Sequence, residues 1–120
     1  MSTTQTAFQN IQVWVTPKAG QPGQYDVRTE PVSPKITSTD TVINYQIVDT
    51  GGYTIVFKGM TVKPENNGQL SKETVSVDGL LMTFSDLNSQ PMTLNITLKF
   101  ADKDGREFSH DPQIQNDPQG

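Results

Sequence analysis

Along most of the chain, short apolar bursts alternate with polar residues at a period of two, and no stretch carries the three-to-four spacing of an amphipathic helix. Ile11, Val13 and Val15 alternate with Asn10, Gln12 and Trp14, which predicts a half-buried strand ended by the turn-rich segment from Pro17 to Gly23. Tyr25 and Val27 predict a second short strand. Pro31 and Pro34 then predict an extended edge or connection, since proline has no N–H to give to a ladder. Ile43, Tyr45 and Ile47 share one face, and Tyr53, Ile55 and Phe57 repeat it across Asp49-Thr50-Gly51-Gly52, so this pair reads as a hairpin. Asn66-Asn67-Gly68 separates Met60 to Val62 from Val75 and Val77, and Asp78-Gly79 turns into Leu80, Met82 and Phe84. The longest clean alternation follows: Met92, Leu94, Ile96, Leu98 and Phe100 on one face, with Thr93, Asn95, Thr97 and Lys99 on the other. Asp102 to Gly105 is a tight turn, after which Arg106 to His110 returns antiparallel.

These elements predict an all-β fold, a single antiparallel β-sandwich of immunoglobulin-like or Greek-key type with about eight strands. The 120 residues suffice for one core and not for two, so residues 1–120 are expected to form one domain. Only 32% of residues are hydrophobic, which implies a thin core between two sheets. The formal net charge of -4 argues against nucleic acid, whose binding depends on Lys and Arg displacing counterions. With no cysteine and one histidine, neither a thiolate metal site nor a histidine-rich one can form, and no cofactor is expected. The segment from Met1 to Ala7 lacks the basic start and apolar run of a secretory signal, and no later run reaches membrane-spanning length. The expectation is a soluble, cytoplasmic chain without a membrane partner.

Three short motifs are candidates for chemistry. Asp49-Thr50-Gly51 matches the tripeptide of aspartic proteases, where twin carboxylates share a proton and a water. No second supporting hydrophobic-hydrophobic-glycine segment accompanies it, so a turn is the better reading. Asn67-Gly68 can deamidate, yet it is also a common hairpin turn, and the structural reading prevails. The third motif is Ser109-His110-Asp111-Pro112-Gln113-Ile114-Gln115-Asn116-Asp117-Pro118, with two Asp-Pro bonds close together. This stretch resembles the DP-EP family of small bacterial β-sandwich proteins, although Asp117-Pro118 stands where the family name implies Glu-Pro. The resemblance implies a β-sandwich and self-cleavage at Asp111-Pro112, an aspartic peptidase-like reaction performed once on the chain itself.

The residue chemistry agrees with that implication. An aspartate carboxylate can attack its own backbone carbonyl through a five-membered ring, an intramolecular arrangement favoured by proximity. Pro112 has no N–H, so succinimide formation through the following amide is blocked, and its tertiary amide nitrogen leaves readily once protonated. The expected intermediate is a cyclic aspartyl anhydride. If the 102–105 turn is a three-residue loop with a glycine bulge, Phe100 pairs with Phe108, Lys99 with Ser109 and Thr97 with Asp111. Lys99, Glu107, Ser109 and Asp111 then share a sheet face, where Lys99 could open the anhydride to form an isopeptide bond and Glu107 could transfer the proton. Lys99 and Glu107 could equally form an exposed ion pair of small value. His110 points to the opposite face, as a packed or capped histidine more than as an acid. Residues 112–120 would remain as a self-cleaved strand, the chain's own peptide partner, held by Ile114. The alternative is a non-enzymatic binding or structural module, with Trp14 and the prolines near Glu30 facing an unidentified protein.

Overall fold

The computed structural model describes residues 6–119, which form ten strands and no helix. One sheet holds β1 (Ala7–Pro17), β2 (Tyr25–Glu30), β4 (Thr41–Asp49), β6 (Thr74–Val75) and β7 (Leu81–Asp86), in the order β2-β1-β4-β7-β6. The other holds β3 (Lys35–Ile36), β5 (Ile55–Lys63), β8 (Met92–Asp102) and β10 (Gln113–Asn116) in the order β3-β10-β8-β5, with β9 (Glu107–His110) also paired to β8. The two sheets form an all-β sandwich. Among the described residues no helix is long and apolar enough to cross a membrane.

Period-two alternation builds the core as expected. Ile11, Val13 and Val15 of β1, Ile43, Tyr45 and Ile47 of β4, and Leu94, Ile96, Leu98 and Phe100 of β8 all point inward and are buried. With Met82, Phe84, Ile114 and their neighbours they make one apolar cluster. Toward one end Phe57, Phe100, Phe108 and Tyr25 continue it as stacked rings with centroids 4.6–5.2 Å apart.

The sheets are mixed where the sequence suggests a purely antiparallel sandwich. β1 runs parallel to β4, and β10 runs parallel to β3. Alternation fixes which side chains face the core, not which way a neighbouring strand runs, so direction was not legible. The expected β4–β5 hairpin also does not form: β4 pairs with β1 and β7, whereas β5 pairs with β8. Asp49 to Thr54 is a link between sheets, and β4 and β5 present their apolar faces to each other across the core. A strand pair related in this way has the same inward alternation as a hairpin.

β8 is the central strand of its sheet. On one flank it meets β5, whose register shifts between Phe57 and Gly59; Gly59 adopts φ 136° and lies opposite Lys99. The Glu73 carboxylate accepts the Met60 N–H at 2.9 Å beside this bulge, and a Cβ on Gly59 would come within 3.0 Å of the same carboxylate. On the other flank β8 meets β9 and then β10.

Candidate functional site at Asp111 and Pro112

β9 and β10 are two parts of one extended segment laid along β8. The pairs Phe100–Phe108, Lys99–Ser109 and Leu98–His110 continue without a shift into Asn95–Gln113 and Leu94–Ile114. Asp111 therefore lies opposite Thr97 and Pro112 opposite Ile96, the register that the aromatic pairing suggests from sequence. The Thr97 hydroxyl donates to Asp111 Oδ1 at 2.8 Å, and the Ile96 N–H donates to the Pro112 carbonyl at 2.9 Å.

Hydrogen-bond parity decides which way the Asp111 peptide groups face. Arg106 and Pro112 turn their carbonyls toward β8, accepting from Asp102 and Ile96, while Gln115 and Asp117 turn away and donate to Pro34 and Ile36. Even-numbered residues of this segment thus bond to β8 and odd-numbered ones face the other edge. Asp111 is odd, so its N–H and C=O point outward. The neighbour on that edge, β3, pairs only with Gln115 and Asn116. The Asp111 carbonyl consequently stands outside the ladder, with its own side chain tied at Thr97 and the next residue anchored to β8. Pro112 is buried and Asp111 exposed.

Lys99, Glu107 and Ser109 line one shallow groove of about 310 Å³ together with Phe108. Gly59 and Ser109 are the partners of Lys99 on its two flanks, so no bulky side chain opposes it on either side. Among the described residues Lys99 and Glu107 form no ion pair. Lys99 is diagonal to Asp111 across the ladder, a separation of about 7–8 Å between backbone positions that a lysine side chain can span. His110 falls on the other face, half-buried opposite Leu98; burial lowers its pKa, against the pull of the Asp111 charge. Of the five residues singled out by sequence, Lys99, Glu107 and Asp111 share the outer face of one stretch of the β8 ladder, whereas His110 and the buried Pro112 alternate to the other face. Thr97 was recognised as the residue opposite Asp111 but not as its hydrogen-bond donor.

The remaining candidates resolve into structure. Asp49 Oδ1 accepts the Gly51 N–H at 2.9 Å, an Asx turn at an exposed position. Asn67 Oδ1 accepts the N–H groups of Gln69 and Leu70, closing a loop. Trp14 is half-buried with the Arg28 guanidinium 4.0 Å over its ring, so its aromatic face is already occupied. A cleft of about 470 Å³ lies beside Tyr25, Tyr53, Asp102 and Arg106 and includes none of the predicted site residues. Burial raises the Asp102 carboxyl pKa, but hydrogen bonds from Tyr25 and from the Arg106 and Asp104 amides, with the Arg106 charge, hold it below its ordinary value.

The family model described as the DP-EP family matches residues 9–118, a span that includes both Asp-Pro bonds. No curated protein sequence matches the chain.

Proposed function

The chain belongs to the DP-EP family, and from that membership together with the local geometry we propose that it cleaves its own Asp111-Pro112 bond. The Asp111 carboxylate attacks the Asp111 backbone carbonyl carbon, and the C–N bond to Pro112 breaks as its nitrogen takes a proton, with Glu107 or water as the donor. A five-membered anhydride remains. Water opens it to give a free C-terminus at residue 111. Alternatively, Lys99 Nζ attacks the side-chain carbonyl, the ring C–O bond opens to a carboxylate, and the surplus amine proton passes to Glu107 or solvent.

The observation that carries this reading is the combination at one residue of a ladder-free carbonyl and a tethered carboxylate. A carbonyl held in a sheet ladder would have to break its hydrogen bond before becoming tetrahedral. Among the described residues the Asp111 carbonyl has no such bond to break, and the Thr97 contact limits the rotations that its carboxylate can make. The Pro112 ring adds a leaving nitrogen without an N–H. Residues 113–116 pair with β8, and Gln115 and Asn116 also with β3, which supports retention of the released piece.

Intact-mass measurement of the purified chain over several days tests the reading. Two products that divide between residues 111 and 112 are expected. A single species of unchanged mass would refute self-cleavage.

A further inference from the structure

Asp86 at the end of β7, Asn88 just after it, and Asn116 on β10 are all buried, although all are polar. They join the two sheets: Asp86 Oδ1 accepts from Asn116 Nδ2 at 2.9 Å and from the Asn88 N–H at 2.9 Å. Asn88, held at φ 50°, spends both amide hydrogens on the carbonyls of Ile36 and Ser38, at 2.9 and 3.1 Å. Three oxygens are then left without a partner among the described residues: Asp86 Oδ2, Asn116 Oδ1 and Asn88 Oδ1. Three buried acceptors lack a donor, and leaving such groups unpaired is costly.

Two of these oxygens belong to groups already joined by one hydrogen bond. A proton on Asp86 Oδ2 supplies the missing donor and lets it bond to Asn116 Oδ1, which closes the two-bond ring of a carboxylic acid with a primary amide. We infer that Asp86 is held as a neutral acid paired with Asn116, a clasp that fastens β10 to the opposite sheet and retains residues 112–119 after scission. The retention rests on the self-cleavage reading, whereas the clasp itself does not.

The surroundings agree. Desolvation raises the Asp86 pKa, outweighing the hydrogen bonds from Asn116 and Asn88 that lower it. The charged residues on the segments packed around it, Lys35, Asp40, Lys72 and Asp117, are exposed or half-exposed. Lys35 and Asp117 pair with each other at 3.1 Å, and among the described residues Asp86 forms no salt bridge. A carboxyl with a raised folded-state pKa contributes stability that is full below its unfolded value and is lost as pH rises through the folded value.

The test uses the full chain carrying Asp111→Ala, which keeps it whole, with and without Asp86→Asn. The Asn amide mimics the neutral acid: it donates to Asn116 and accepts through its oxygen. From about pH 4 to about pH 8 the parent should lose folding equilibrium relative to Asp86→Asn, by at most about tenfold per pH unit within the titration window. The Asp86 carboxyl carbon resonance, identified by its loss in the variant, should titrate above the ordinary carboxylate range. Titration at or below that range, or a difference between the two proteins that does not vary with pH, would overturn the neutral acid and favour a buried water or cation. In the cleavable chain, gel filtration with mass detection should find residues 112–120 more fully retained at acid pH, and equally retained at both in Asp86→Asn. Fragment loss equal at both pH values in the parent would overturn the retention. An uncleaved cleavable chain would instead count against the self-cleavage reading and leave the stability and resonance results to judge the clasp.

Discussion

Thr97 and Leu98 are neighbours on β8 that face opposite sides of the sheet, so truncating each isolates one face. Leu98 is fully buried, flanked in its ladder by Met60 on β5 and His110 on β9. Leu98→Ala removes three carbons, worth roughly 2.4 kcal/mol of transfer at about 0.8 per carbon. A cavity term adds to this unless the walls close in, and β8, pinned by strands on both flanks, is poorly able to move. The total should therefore lie in the upper part of the usual range, about 3–5 kcal/mol. Thr97→Ala loses a β-branched side chain at a half-exposed position, and its hydrogen-bond partner is already absent in the Asp111→Ala background used for the comparison. Its cost should be about 1 kcal/mol or less. Urea denaturation of both variants in the Asp111→Ala background, monitored by circular dichroism at neutral pH, gives the comparison from midpoints at unchanged slope. Equal costs, or a larger cost for Thr97→Ala, would mean that the faces of β8 are misassigned, and with them the placement of Lys99 and Asp111 on the outer face.

Asp111→Ala should leave the circular dichroism spectrum unchanged and abolish scission, because its side chain is the nucleophile and lies outside the core; cleavage at the same bond in the variant would exclude side-chain attack. Lys99→Arg should allow only hydrolysis, since guanidinium stays protonated. Its two fragments should together weigh one water more than the intact chain, whereas transfer to Lys99 adds no water and leaves a 99–111 cross-link; added water and no cross-link in both proteins would remove lysine from the reaction. The Tyr45 hydroxyl is buried without a partner among the described residues, and desolvation raises its pKa, so Tyr45→Phe should be neutral or stabilising by up to about 1 kcal/mol, and a loss of more than about 1 kcal/mol would reveal a partner. Burial lowers the His110 pKa from its ordinary 6.5, so the folded state binds fewer protons and stability should fall as pH drops through that value; thermal melts from about pH 7 to about pH 5 should show a weaker decline for His110→Gln, and identical slopes would refute the assignment.

The faces of the strands were legible because alternation reports burial directly. Leu94 to Phe100 is fully buried at every second residue, and the Phe100–Phe108 pair fixed the final register through aromatic packing. The partners of the strands were less legible. Tyr45 and Ile55 both point into the core, and the same pattern would serve a hairpin or two strands facing each other from opposite sheets. Which arrangement forms is decided by where β1 and β7 take up the edges of β4, a long-range competition that no local window contains.

The candidate site divides along the same line. Asp111, Pro112 and Lys99 could be read from a motif and a register, because both are properties of one continuous hairpin and its extension. The outward carbonyl of Asp111 could also have been read, since parity along a ladder follows once one pair is fixed. The Asp86–Asn116 contact could not. It joins residues 30 apart in sequence, on different sheets, and nothing in Ser-Asp-Leu-Asn-Ser distinguishes a buried carboxyl from the solvated turn that such residues usually make. Asp86 does fall in phase with Met82 and Phe84, four and two positions earlier on the inner face of β7. A charged residue continuing an apolar alternation is the one local sign that it is carried inward, and that sign acquires meaning only when a polar partner, here Asn116, waits on the facing sheet.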